Sequence, residues 1–180
     1  YAVKIPEIKG LDGYSNFCIR EMARHVDTRF ALVVQYDGFV IDGKSWRDEF
    51  RNWDYTGAPF NPSGITGNGG FSLRSKRLLD WLAASNWPDN HAEDGAICIR
   101  HRKEVEDAGF KFAPLEVAKQ FAIESRSWNT KEWQGTANKY TSEFGFHSLL
   151  TPLPQGKRVC NIFVHSGDAG DILYSMATIK

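Results

Sequence analysis

The chain has 180 residues, 42% of them hydrophobic and 13% aromatic, which is enough apolar side chain for one ordinary globular core. Its 22 Lys and Arg balance its 22 Asp and Glu, so no large basic surface for nucleic acid or an anionic membrane is expected. The three isolated cysteines, Cys18, Cys98 and Cys160, argue against a disulfide framework or a structural zinc site and favour a reducing cytoplasm, and the sequence contains no apolar run long enough to span a membrane.

The first half of the chain predicts helices that alternate with short strands. Asp12 or Ser15 can cap a helix that continues to about His25. Residues 30–37 form a continuous apolar run that ends in polar groups, as expected for a central strand buried on both faces. Shorter elements are predicted to follow: a helix at 46–50 and strands at 54–55 and 71–73.

The second half continues the same alternation. Ser75 is predicted to cap an amphipathic helix over 76–84. Another helix is predicted from near Glu93 to Gly109, followed by a strand at 110–113 and a short helix that opens at Pro114. This order of elements favours an α/β fold with helices flanking a sheet.

Residues 151–157 contain two prolines and a glycine and are predicted to be a linker. A strand at 158–164, a glycine turn and a helix starting at Ile172 are together typical of the opening of a nucleotide-binding unit. The sequence therefore predicts one domain over 1–150 and the start of a second over 158–180.

Two side chains are candidates for a divalent metal site. Asp37 follows the buried strand, at the sheet edge where α/β folds bind ligands, and a carboxylate there can share Mg²⁺ or Mn²⁺ with substrate phosphates. His147 follows a run of aromatic residues, and a neutral imidazole can bind Mn²⁺ or contact phosphate. Alternatively, Asp37 only begins a turn and His147 is a packed side chain.

The glycine-rich segment Gly67–Arg74 is the candidate binding loop. Its glycines permit close backbone approach to a ligand, and Arg74 can pair with a phosphate or a sugar carboxylate; the alternative is an ordinary loop with a solvated arginine. The residues predicted to line the ligand are Gly67, Asn68, Gly69, Gly70 and Arg74.

Glu93 and Asp94 are candidates for the catalytic base, since a carboxylate can take a proton from an acceptor hydroxyl. The alternative is that both acids simply stabilise the start of a helix through its dipole.

In the order aspartate, glycine loop, acidic pair and late histidine, these features resemble GT-A-fold glycosyltransferases, and more closely a bacterial family interpreted as such enzymes. The resemblance covers about residues 10–148. It implies a GT-A-like (Rossmann-like) mixed sheet flanked by helices, without the amino-terminal strands that hold the nucleotide base. The matching segments are Tyr14–Phe17, Val34–Gly38, Asp54–Pro59, Gly67–Arg74, Glu93–Asp94, Phe121–Glu124 and Phe144–His147.

The resemblance also implies a function. A sugar would pass from a nucleoside diphosphate sugar to a glycan or lipid-linked acceptor, in surface polysaccharide synthesis in the cytoplasm or at the inner face of the membrane. Asp37 and His147 would hold Mn²⁺ or Mg²⁺, and Asp94, beside Glu93, would be the base. Gln35 stands where the family's D-x-D motif has its first aspartate, and it is predicted to line the donor site.

Other readings of the sequence remain open. A non-catalytic module of GT-A shape that binds glycan or supports a partner enzyme is one alternative, and a nucleotidyltransferase or sugar-phosphate hydrolase is another. The segment 166–174 is similar to the opening turn of GT-B heptosyltransferase-like domains, in agreement with the predicted second domain.

Overall fold

The computed structural model describes residues 5–35, 38–60, 64–88, 90, 92–124 and 142–147, together with the backbone of 163–164 and 171–175. These residues form a mixed α/β structure. Its helices are α1 (Gly10–Asn16), α2 (Lys76–Ala84), α3 (Glu93–Gly95), α4 (Arg102–Asp107) and α5 (Leu115–Phe121). Its strands are β1 (Phe30–Val34), β2 (Gly38–Val40), β3 (Tyr55–Gly57), β4 (Pro59–Phe60), β5 (Ile65–Thr66), β6 (Phe71–Ser75), β7 (Ala122–Glu124), β8 (Gly145–His147), β9 (Phe163–Val164) and β10 (Asp171–Ser175).

The largest sheet has five strands in the order β3-β6-β1-β10-β9. Strand β6 is antiparallel to both β1 and β3, whereas β10 is parallel to β1, with Ile172 opposite Ala31. The helix predicted from Ile172 is therefore wrong. A short apolar run has no periodicity that separates helix from strand, and here the edge of β1 supplies the backbone hydrogen bonds. The division into two domains stays a prediction.

A second sheet has the order β2-β8-β7, and its strand pairings determine which residues lie opposite His147. The parallel pairing of β7 with β8 places Glu124 opposite His147, and the antiparallel pairing of β2 with β8 places Gly38 opposite the same histidine. Strands β4 and β5 form a separate two-stranded hairpin. The described strands thus bring both sides of His147 against residues from elsewhere in the chain.

The core has a layer on each face of β1, because successive side chains of a strand point to opposite faces. Phe30, Leu32 and Val34 join an aromatic cluster with residues of α5. Ala31 and Val33 join a cluster with α1 and α2. The prediction of a central strand buried on both faces is confirmed.

Several helix predictions are confirmed, and others are corrected in detail. Helix α2 spans Lys76–Ala84, as predicted, and the Ser75 hydroxyl accepts a hydrogen bond from the Leu78 amide. The predicted helix from Glu93 is broken by a π-helical turn at Ala96–Arg100. Among the described helices, none is long and apolar enough to cross a bilayer.

Other boundaries also differ from the sequence prediction. The first helix starts at Gly10 and continues through a π-helical turn at Phe17–Glu21. The predicted helix at 46–50 is a 3₁₀ turn over Asp48–Asn52. Instead of a strand at 110–113, a single bridge joins Phe112 to Tyr55. The local patterns identified most elements, but tertiary contacts set their ends.

Candidate functional site

The glycine loop between β5 and β6 is the meeting point of the predicted motifs. The amide of Gly69 donates to Asp94 Oδ2 at 3.0 Å, and Gly70 lies against the ring of His147. Asp94 and His147 are far apart in sequence, but they contact adjacent residues of one loop. The loop is therefore the structural centre of the candidate site.

Asn68 closes the loop on itself, since its Oδ1 accepts a hydrogen bond from the Gly70 amide at 3.0 Å. Gly67 has a φ of +126°, a backbone conformation that residues other than glycine rarely adopt. A Cβ there would lie 2.3 Å from Cys98 Sγ. A Cβ on Gly70 would lie 2.0 Å from His147 Nε2. Glycine at these two positions therefore lets the backbone run directly against its neighbours.

Arg74 lies beneath the loop with no exposed surface. Alternation along β6 places it on the face opposite Leu73, where its Nη2 atom is 2.8 Å from Glu93 Oε1 and its Nε donates to Ser72 Oγ at 3.0 Å. The guanidinium also stacks over the Tyr55 ring, 4.9 Å from its centroid. In this arrangement Arg74 supports the loop from inside, and its predicted contact with a ligand stays a prediction.

The two carboxylates at the start of α3 have different surroundings. Glu93 is 2% exposed, and burial raises the pKa of its carboxyl above the usual range, although the Arg74 guanidinium opposes this shift. Asp94 is half-buried, and its Oδ1 accepts from the Gly95 amide at 2.7 Å. Asp94 is therefore the carboxylate of the pair that can meet a ligand, whereas Glu93 is enclosed.

The residue before this pair has a strained backbone. Ala92 has φ 47° and ψ 84°, and it is the non-glycine residue with positive φ in the described ranges. Such left-handed conformations cost free energy and are concentrated at functional sites. The start of α3 therefore carries local backbone strain directly before the acidic pair.

His147 is held by polar contacts on both ring nitrogens. Its Nδ1 is 2.5 Å from Glu124 Oε2, and its Nε2 is 3.2 Å from Gln35 Oε1. Gln35 Nε2 in turn donates to the Tyr14 hydroxyl at 3.0 Å. His147 is only 8% exposed, so these contacts determine how its ring is oriented.

Asp37 lies outside the described residues. The nearest described residues on either side, Gln35 and Gly38, contact the loop, because the Gln35 amide donates to the Gly70 carbonyl at 2.8 Å and a Cβ on Gly38 would lie 2.9 Å from the same oxygen. Over the described part of the chain, no three His, Cys, Asp or Glu side chains form a metal-binding group. His147 Nε2 and Gln35 Oε1 are nevertheless two metal-compatible donor atoms that lie side by side.

Three residues of the site had no predicted role: Tyr14, Ser72 and Glu124. Ser72 could have been found from the alternation of Phe71, Ser72, Leu73 and Arg74, which places both polar side chains on one buried face. Glu124 lies in a segment that carries the family resemblance, but the pairing of β7 with β8 cannot be derived from so short a segment.

Comparison with protein families adds a finding about ancestry. Residues 3–147 match the family described as "Protein of unknown function (DUF5672)". Comparisons with curated proteins and with solved structures found no match to this chain. The match covers the loop, the acidic pair and His147, and most of the chain. The chain therefore belongs to the DUF5672 family.

Proposed function

We propose that this protein is a GT-A-like glycosyltransferase, which moves a sugar from a nucleoside diphosphate sugar to a glycan or lipid-linked acceptor. The supporting observation is that Asp94 and His147 contact the adjacent residues Gly69 and Gly70. A half-buried carboxylate and an imidazole at one glycine loop suit a reaction that removes a proton and releases a diphosphate.

Asp94 is the proposed base. Backbone amides of Gly69 and Gly95 donate to its two carboxylate oxygens, and these bonds fix the orientation of the carboxylate. In an inverting reaction, Asp94 takes the proton of the acceptor hydroxyl as that oxygen attacks the donor sugar. Glu93 is not proposed for this step, because it is buried against Arg74.

Asp37 and His147 are the proposed ligands of Mn²⁺ or Mg²⁺, and Gln35 lies beside His147. When bound, the cation supplies positive charge that stabilises the departing diphosphate. The contact of Gly70 with His147 keeps the ring at the loop, and the Gln35 amide binds the Gly70 carbonyl. The donor sugar and diphosphate would therefore lie along Gly67–Gly70.

The test is a thermal-shift series with nucleoside diphosphates and their sugars, each measured with and without MnCl₂. We expect one nucleotide class to raise the melting temperature only when Mn²⁺ is present, since a ligand of the native state stabilises it by mass action. Asp37→Asn and His147→Ala should abolish this shift. Asp80→Asn, which changes an exposed carboxylate on α2, should retain it.

A positive nucleotide should then support transfer, measured as release of the nucleoside diphosphate in the presence of acceptor glycans. A folded protein that shows no shift with any nucleotide contradicts the proposal and favours a non-catalytic glycan-binding module. Release of pyrophosphate or inorganic phosphate instead would favour a nucleotidyltransferase or a hydrolase.

A further inference from the structure

Ser72 carries a buried hydroxyl that contacts the glycine loop from below. It lies near the start of β6, where it is paired with Val33 of β1 on one side and with Gly57 of β3 on the other, and it has no exposed surface. Its Oγ donates to the Gly69 carbonyl at 3.1 Å. A side chain held between two neighbouring strands therefore contacts the loop backbone directly.

The direction of each hydrogen bond at Ser72 is determined by its partner. Arg74 Nε lies 3.0 Å from Ser72 Oγ, and a guanidinium nitrogen can only donate. The Gly69 carbonyl oxygen carries no hydrogen and can only accept. The Ser72 hydroxyl therefore accepts from Arg74 and donates to Gly69, because no other placement of its hydrogen satisfies both partners.

Gly69 connects this hydroxyl to Asp94. Its carbonyl accepts from Ser72 and, over a longer distance of 3.4 Å, from Arg74 Nη2. Its amide donates to Asp94 Oδ2 at 3.0 Å. The two residues are in close contact, since a Cβ at Gly69 would lie 2.9 Å from Asp94 Cβ. The two polar groups of Gly69 thus link the buried face of β6 to the proposed base.

We propose that Ser72 is a positioning residue for the proposed base: it orients Gly69, whose amide in turn holds the Asp94 carboxylate for proton transfer. The inference rests on the proposed function, because that function makes Asp94 the base. Ser72 acts through Gly69 and does not itself take part in proton transfer. Its effect is geometric, and a displacement of about 1 Å at a reacting group can lower the rate about 10²-fold.

A second serine of the same strand provides the matched control. Ser75 is also buried, but its hydroxyl donates to Asp54 and accepts from the Leu78 amide at the start of α2. Ser72→Ala and Ser75→Ala thus each remove one buried hydroxyl of β6, and the first alone removes the hydrogen bond to Gly69. A merely structural role of Ser72 predicts that the two variants behave alike.

Hydrogen exchange of the Gly69 amide, measured by NMR, tests the orientation without an activity assay. In Ser72→Ala the Gly69 carbonyl loses the shorter of its two hydrogen bonds, so we expect the amide to exchange about 3- to 10-fold faster, the factor that corresponds to one hydrogen bond. In Ser75→Ala it should stay within about twofold of the wild type, because local opening of the loop does not involve that residue. A wild-type Gly69 amide that exchanges as fast as one in an unfolded chain overturns the proposal without any variant.

The kinetic test uses the nucleotide sugar that the thermal-shift series identifies. Ser72→Ala should lower kcat at least about 10-fold, while KM for the donor stays within about twofold, because a displaced base slows the chemical step and leaves donor binding intact. Ser75→Ala should keep both constants near those of the wild type. Faster exchange at Gly69 in Ser72→Ala with an unchanged kcat would show that Ser72 holds the loop without positioning the base, and the proposal would be wrong.

The two proposals can fail separately. If no nucleotide sugar supports transfer by the wild type, the proposed function fails, and the exchange rates of Gly69 alone decide whether Ser72 orients the contact with Asp94. If transfer occurs and Ser72→Ala matches Ser75→Ala in both measurements, the positioning role fails and the proposed function stands.

Discussion

Arg74 and Glu93 form an ion pair that is enclosed within the protein, with 2.8 Å between Nη2 and Oε1 and side-chain exposures of 0% and 3%. The pair lies directly under the glycine loop, and Arg74 Nη2 also donates to the Gly69 carbonyl at 3.4 Å. It thus connects β6 to α3, the element that carries Asp94. The position of the proposed base therefore depends on a buried ion pair next to it.

Removal of one partner of this pair should be costly. Arg74→Met or Glu93→Gln alone leaves an uncompensated buried charge, and each should lower the free energy of unfolding by about 3–5 kcal/mol. The double variant removes both charges and should lose much less than the sum of the two. Urea unfolding of the four proteins measures this coupling; additive losses would show that the two side chains do not interact.

A second buried acid should make stability depend on pH. Burial raises the pKa of Asp54, but hydrogen bonds from Arg77, Ser75 and the Lys111 amide outweigh this and hold the pKa below its usual value. A lowered folded-state pKa contributes stability above the unfolded-state value and loses it as the pH falls through the folded-state value. Asp54→Asn should therefore cost about 2–3 kcal/mol at neutral pH.

The cost of Asp54→Asn should begin to shrink as the pH falls below about 4, where the carboxyl of the unfolded wild type takes up a proton, and it should be lost once the pH falls below the lowered folded-state pKa. Unfolding in urea across a pH series measures this difference. Asp80→Asn, at an exposed pair with Lys76, should change stability by less than about 1 kcal/mol at every pH. A pH-independent cost at Asp54 would assign its role to packing rather than charge.

Gly70→Ala tests whether the loop must touch His147. The added Cβ would lie 2.0 Å from Nε2, so the ring must move away from the loop. We expect about 1–3 kcal/mol of destabilisation and at least a tenfold loss of Mn²⁺ affinity. Gly43→Ala is the matched control, because a Cβ there meets nothing within 4 Å; equal Mn²⁺ affinity in both variants would remove the glycine from the site.

Asp94→Asn tests the proposed base. The change removes the proton acceptor but keeps the shape of the side chain, so transfer should fall about 10²- to 10⁴-fold while affinity for the donor nucleotide stays within about twofold. Product release measures the first quantity and calorimetry the second. Transfer at the wild-type rate would exclude Asp94 as the base.

The strongest local patterns in the sequence predicted the corresponding elements of the fold. The buried strand β1 and the Ser75 cap of α2 are confirmed. Both could be predicted because an apolar run and a capping hydroxyl are each visible within a few consecutive residues. The strand at 171–175 was not predicted, because its identity depends on the free edge of β1. The π-helical turn after α3 depends similarly on contacts that local propensity does not encode.

The candidate site was predicted as a set of residues but not as a geometry. The sequence could indicate an acidic pair next to a helix start, and it could not indicate that Glu93 turns inward to Arg74 while Asp94 stays at the loop. That distinction arises because Arg74 lies on the buried face of β6 and pairs there with Glu93. The contact between Glu124 and His147 similarly forms only when β7 pairs with β8.

The contact between Gln35 and His147 joins residues 112 positions apart, so the site exists only in molecules whose strand β8 is in place. Local opening of β8 would disconnect His147 while leaving much of the secondary structure intact. A substitution of a residue outside the site itself, such as one in the aromatic core beside Phe144, can then appear as weak binding. Affinity measured for this protein will therefore reflect the fraction of molecules with a closed site as well as the chemistry of the residues in it.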